Sequence, residues 1–255
     1  MSSLFDDPRF NLNLFFPADR ASPPPPGARD LRVDVAPDVG LHARRHAHAG
    51  SRALVLLFHG NGEVVADYDG LATRYADAGA DLLVVDFRGY GASEGTPTLR
   101  DALADAHRAL DVALADAAGL PLVVMGRSLG GACAAELCQS SRPGVVGFVF
   151  ESAAADLDGV IRRRGVDPRG LVTDADRAAF DPLPKLARCA SPALVLHGED
   201  DALIPASEAR LTHERLASAD KTLTLIPGRG HNDLAWHPLY WDALARFVAR
   251  VTDPR

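Results

Sequence analysis

Apolar positions follow two rhythms along this chain. Short runs at Ala53–Phe58, Asp81–Asp86, Leu120–Met125, Val145–Glu151, Ala193–His197 and Thr222–Ile226 have the length and residue types of strands, most of them apolar enough for burial on both faces. Between them lie stretches with helical spacing: Asp67–Ala78, Thr98–Ala118, Gly131–Gln139, Ala206–Ala217 and Trp236–Val251. In the longest, Leu99, Leu103, Ala106, Leu110 and Leu114 share one face. Two alternating segments, Leu31–Val35 and Leu41–Ala47, read as strands with one wet face, a hairpin-like antiparallel start. Strand–helix alternation from there onward predicts an α/β fold, with a mostly parallel sheet covered by helices on both faces.

Two segments break the rhythm. Residues 1–30 read as an N-terminal extension in which Leu12, Leu14, Phe15 and Phe16 pack onto the body, and Pro23–Pro26 is a stiff connector. Residues 31–255 then form the main domain. Within it, residues of about 153–192 carry helix-like pieces (Asp156–Arg163, Asp174–Phe180) among the breakers Gly165, Pro168, Gly170, Pro182 and Pro184. They read as a small cap over the strand edge.

Composition narrows the function classes. The 255 residues suit one large α/β domain, with 47% apolar and 24% charged residues. A net charge of -7 and the lack of a dense basic stripe argue against nucleic acid and anionic membranes as partners. The three cysteines form no disulfide framework or metal spacing, which points to a reducing compartment. The first residues are acidic and lack an apolar core, and no run reaches the ~18 apolar residues of a membrane span, so no membrane insertion and a cytoplasmic address are expected.

The chemistry is concentrated where strands end. Gly126-Arg127-Ser128-Leu129-Gly130 reads G-x-S-x-G between a strand and a helix, the context in which a sharp turn pushes a serine hydroxyl out above a sheet. Serine is a weak nucleophile until a base takes its proton. His231, in Gly230-His231-Asn232 after the last strand, is the candidate base, since imidazole accepts and returns a proton near neutrality. An acid must orient that imidazole. Asp201, in His197-Gly198-x-x-Asp201-x-x-Ile204-Pro205, is the first choice, with Asp200 and Glu151 as alternatives. The oxyanion hole needs two N–H donors. One is assigned to Leu129, the other to Asn61 in His59-Gly60-Asn61-Gly62-Glu63, with Gly62 second. These glycine loops lack both phosphate-binding patterns. His42, His46 and His48 alternate on one strand and read as a polar face rather than a metal site, and Arg162–Arg164 as a solvated helix end rather than an anion site.

These motifs, with Asp86-Phe87-Arg88-Gly89-Tyr90-Gly91-x-Ser93-x-Gly95, resemble those of α/β-hydrolase-fold serine hydrolases, in that family's order, from about residue 31 to the end. The pairing of His59–Glu63 with Asp86–Gly95 is similar to the esterase- and acylhydrolase-like branch that includes Bem46-type proteins. The resemblance implies a central eight-stranded sheet, no cofactor, and structural roles for Asp86 and Arg88. Serine at the elbow argues against dehalogenases and epoxide hydrolases, which carry aspartate there. The expected function is hydrolysis of a carboxylic ester or thioester of a small-molecule acyl substrate through an acyl-enzyme. The alternatives are a peptidase or acyltransferase on the same triad, or a non-catalytic binding protein that kept the fold.

Overall fold

The structure, a computed structural model, describes residues 3–253. Eight strands form one sheet in the order β1-β2-β4-β3-β5-β6-β7-β8. The hairpin β1 (Ala28–Ala36) and β2 (Val39–His46) joins β4 (Ala80–Val85) antiparallel. Strands β3 (Ala53–Phe58), β5 (Leu122–Arg127), β6 (Val145–Glu151), β7 (Ala193–Gly198) and β8 (Lys221–Ile226) run parallel to one another and to β4. Alternate residues of β3 enter different cores: Leu54, Leu56 and Phe58 one, Ala53, Val55 and Leu57 the other. A strand buried on both faces has no polar positions, which is why these runs are continuously apolar.

Ahead of the sheet, a 3₁₀ turn at Leu4–Asp6 leads into α1 (Pro8–Leu14), started by the Asp7 carboxylate and by Pro8 in the first turn. Phe5, Phe10, Leu14 and Phe15 are buried, whereas Leu12 and Phe16 are exposed. Asn11 is buried and ties the segment to the body: its Nδ2 donates to Phe5 O and its Oδ1 accepts the Leu99 N–H. The strand expected at Leu31 begins at Ala28.

Helices α2 (Ala72–Asp77) and α9 (Pro238–Thr252) pack Tyr75, Tyr240, Leu244 and Phe247 on one face of the sheet. The single helix expected over Asp67–Ala78 is divided: a 3₁₀ stretch at Val65–Leu71 precedes α2, and Gly70, a poor helix residue, sits at the change. On the other face lie α3 (Leu99–Asp116), whose first turn is capped by Thr98, α4 (Gly131–Cys138), and, after β7, α8 (Ala206–Arg215), whose Ala209 enters that core.

Between β6 and β7 come α5 (Leu157–Arg163), α6 (Asp174–Phe180) and α7 (Pro182–Leu186). The first two match the helix-like pieces of the sequence. The third does not, because Pro182 and Pro184 read as breakers. Pro182 instead occupies the first helical position, where its missing N–H costs nothing, and Asp181 caps the Leu183 N–H. Phe5 packs on Phe180 with ring centroids 4.2 Å apart, so the N-terminal segment and the cap share one apolar contact.

Candidate active site

The strand order turns back between β3 and β5, which opens a crevice at their carboxyl ends. Ser128 stands directly after β5 with φ +50°, a left-handed conformation that side chains rarely adopt. Its glycines permit that turn. A side chain at Gly126 would strike the Gly130 carbonyl, and one at Gly130 would strike the Phe58 carbonyl of β3. The elbow is thus pressed against its own strand and the neighbouring one.

His231 lies on the loop after β8, and its Nε2 is 2.9 Å from Ser128 Oγ. Its Nδ1 is 2.7 Å from Asp201 Oδ2. Asp201 sits on the loop after β7, where its Oδ1 accepts the N–H groups of Leu203 and Ile204 at 2.9 and 2.8 Å. Burial pushes the Asp201 carboxyl up, but hydrogen bonds from His197, His231 and the Ile204 N–H outweigh it and hold the group well below the usual carboxylate range. The two loops are laced together by the Asp200 N–H donating to Arg229 O at 2.9 Å.

Of the three candidate acids, the fold brings Asp201 to His231. Asp200 is exposed. Glu151, at the end of β6, turns beneath the site, where it accepts the Tyr240 hydroxyl at 2.9 Å and faces Arg127 Nε at 3.2 Å. Burial raises its pKa despite the Arg127 charge and the Tyr240 hydrogen bond.

Asn61, Leu129 and Ser128 line one cavity of about 300 Å³. The Asn61 side chain is tied to the N-terminal segment and to Tyr90: Oδ1 accepts the Phe16 N–H (2.8 Å) and the Tyr90 hydroxyl (2.6 Å), and Nδ2 donates to Leu14 O (2.8 Å). The Asn61 loop is braced by Glu63, which accepts the Gly60 N–H at 2.8 Å and the Tyr68 hydroxyl at 2.7 Å. Asp86 is buried below, held by His42, His59 and the Val65 N–H, and Arg88 pairs with Asp105 through two hydrogen bonds of 2.7 Å. His42 is thus clamped between Asp30 and Asp86, and His46 lies beside Asp69.

Two features were not foreseen from the sequence. The first is Arg127, the second residue of the elbow motif. Its Nη1 pairs with Glu63 at 2.6 Å, its Nε faces Glu151, and its Nη2 donates to His231 O (3.2 Å) and Asn232 Oδ1 (2.9 Å). One largely buried cation thus connects the Gly60–Glu63 loop, β6 and the histidine loop. Its placement in the motif was visible; its partners, more than twenty residues away in either direction, were not. Replacing Arg127 by Met should leave two facing carboxylates uncompensated and cost about 3–5 kcal/mol. The melting temperature should fall on the order of 10 °C. Adding Glu63→Gln and Glu151→Gln should recover part of that loss, and thermal melting of the single and triple variants checks it.

The second feature is the cavity wall. Leu14 and Phe16 of the N-terminal segment line it together with Leu99, Leu157, Val160, Phe180 and Pro182. The cap supplies only part of the roof: Ile161 is buried in the core and Leu171 is exposed.

A serine–imidazole–carboxylate chain at the crevice of this sheet is the arrangement that α/β-type hydrolases use. The fold is that of the α/β-hydrolases, and comparison with known proteins supports a likeness to α/β-hydrolase-fold hydrolases. Residues 49–167 match the family model described as serine aminopeptidase S33. It is similar to alpha/beta hydrolase domain-containing protein 17C of Xenopus tropicalis, 29% identical over 210 residues that cover 78% of this chain and 63% of that one. It is also similar to alpha/beta hydrolase domain-containing protein aho-3 of Caenorhabditis elegans, 30% identical over 217 residues, covering 80% and 61%. The chain thus spans about three-fifths of these relatives' length. Among solved structures, an esterase of Pyrococcus furiosus superimposes with a TM-score of 0.73 at 18% identity, covering 93% of this chain and 99% of that one. Among the described residues no helix is long and apolar enough to cross a membrane.

Proposed function

We propose that this protein is a serine hydrolase that cleaves carboxylic esters or thioesters of small-molecule acyl substrates in the cytoplasm, through Ser128, His231 and Asp201. One observation carries the reading: the Ser128 Oγ–His231 Nε2 contact of 2.9 Å, continued to Asp201, opens onto a cavity with mostly apolar walls. His231 Nε2 takes the hydroxyl proton as Oγ attacks the acyl carbonyl. The N–H groups of Leu129 and Asn61 receive the developing oxyanion. As the tetrahedral intermediate collapses, Nε2 gives the proton to the departing alkoxide or thiolate. Water then attacks the acyl-enzyme, losing a proton to Nε2, which returns it to Ser128 Oγ as the acid leaves. Asp201 keeps the Nδ1–H pointed at itself and stabilises the imidazolium. No cofactor enters these steps.

The match to a serine aminopeptidase model supports a second reading, amide cleavage on the same three residues. Covalent labelling with a fluorophosphonate, followed by a panel of p-nitrophenyl esters, an acyl-CoA and aminoacyl amides, tests both. Labelling with preferred turnover of esters or thioesters is expected. Preferred turnover of amides would move the assignment to the peptidase, and absence of labelling would leave a non-catalytic binding protein.

The cavity also sets an acyl-length profile. Each methylene buried against Leu157, Val160 and Phe180 contributes about 0.8 kcal/mol. The ratio kcat/KM should rise a few-fold per carbon up to medium chains and then fall, with no jump above the micellar threshold. The measurement is kcat/KM from acetate to palmitate, and a maximum at palmitate with interfacial activation would contradict it.

A further inference from the structure

Three arginines line the cavity that holds Ser128, and two of them are neutralised. Arg127 pairs with Glu63 and Glu151, and Arg163 pairs with Glu208 at 3.0 Å. Arg164 has no carboxylate partner among the described residues. The acids of its own neighbourhood are engaged elsewhere: Asp158 with Arg177 at 2.9 Å, Asp167 with Arg169 at 2.7 Å, and Glu208 with Arg163 and with the N–H groups of Ala155 and Asp156. Nor is Arg164 loose. Its N–H donates to Ile161 O at the end of α5, its carbonyl accepts Asn13 Nδ2 at 2.8 Å, and its guanidinium lies 5.1 Å from the centre of the Phe16 ring, which lines the same cavity. Burial, aided by the neighbouring Arg163 charge, pulls its pKa down from the usual arginine value, the mark of a cation short of counter-charge.

We propose that Arg164 receives a carboxylate at the far end of the substrate's acyl chain, so that the preferred substrates are esters of dicarboxylic acids with one acid left free. The inference rests on the serine-hydrolase reading above. A guanidinium offers two parallel N–H donors that match a carboxylate, and the Phe16 ring packs beside that of Arg164 before the ligand arrives. Ser128 and Arg164 share one cavity with mostly apolar walls between them, which suits a chain of methylenes with a reactive ester at one end and an anion at the other. The run Arg162–Arg164, which reads as a solvated helix end, thus divides: Arg162 is exposed, Arg163 is paired, and Arg164 lines the cavity without a carboxylate partner among the described residues.

The test compares mono-p-nitrophenyl adipate and suberate with the same esters carrying a terminal amide in place of the acid. These chains are long enough that the free carboxylate does not readily attack its own ester, and uncatalysed hydrolysis is subtracted. The readout is the acid-to-amide ratio of kcat/KM within each variant, which cancels any general loss of activity. The wild-type ratio should be about 10 or more, the Arg164→Gln ratio about 1, and the Arg164→Lys ratio between them, with the change carried by KM. A ratio near 1 in the wild type, or an equal ratio in wild type and Arg164→Gln, overturns the proposal while turnover that depends on Ser128 leaves the hydrolase reading standing. Absence of turnover of all four esters, together with absence of fluorophosphonate labelling, overturns both.

Discussion

Alanine in place of Ser128 should abolish fluorophosphonate labelling and lower ester turnover by a factor on the order of 10⁴ or more. The reason is geometric as well as chemical. Ser128 is the only hydroxyl that His231 Nε2 contacts among the described residues, at 2.9 Å. The turn that presents it is held by backbone packing at Gly126 and Gly130, and the hydroxyl takes no part in that packing. Alanine at φ +50° is no more and no less strained than serine, so the elbow persists and the melting temperature should move by less than about 3 °C. Turnover and labelling at the wild-type level in a correctly folded Ser128→Ala protein would remove the serine from the mechanism.

The second large effect is expected at Asp201. Asp201→Asn replaces a carboxylate that accepts from His231 Nδ1 at 2.7 Å with an amide whose N–H₂ group can present a donor there. The imidazole then turns to the tautomer with its proton on Nε2, the wrong atom for accepting from Ser128 Oγ. Turnover should fall by about 10⁴, with KM changed little, because ground-state contacts in the cavity remain. Asp201 is held ionised well below neutrality, so its own titration does not limit activity near pH 7. Steady-state kinetics of Asp201→Asn beside Asp200→Asn decides the assignment. Full activity in the first with loss in the second would transfer the role to Asp200. Glu151→Gln belongs in the same series, and its main effect is expected on stability, since Glu151 is tied to Arg127 and Tyr240 and makes no hydrogen bond to His231.

The parts legible in the sequence are those that depend on local spacing. The continuous apolar run Ala53–Phe58 announces a strand buried on both faces, and the spacing of Leu99, Leu103, Ala106 and Leu110 announces a helix laid on it. The elbow is legible because two glycines bracket a serine between a strand and a helix. The misreadings are also local in origin. Asp67–Ala78 has helical composition, yet Gly70 lets a 3₁₀ stretch take its first half. Prolines 182 and 184 look like breakers, yet Pro182 begins α7.

The N-terminal segment shows the opposite case. Phe5 and Phe10 have no periodic signature strong enough to add them to the packing expected of Leu14 and Phe15, because the ring that Phe5 meets, Phe180, lies far along the chain. The same holds for Arg127, whose charge matters only because folding brings Glu63 and Glu151 to it, and for Arg164, whose lack of a carboxylate partner among the described residues is a property of its surroundings. The sequence by itself determined the α/β architecture, the order of most of its strands and helices, and that Ser128 and His231 each follow a strand end, since periodicity and turn chemistry act over a few residues. Only the tertiary structure decided which carboxylate meets His231, which chain segments wall the cavity, and which of its arginines stays uncompensated, because those are distances between residues that chain connectivity leaves free and packing alone sets.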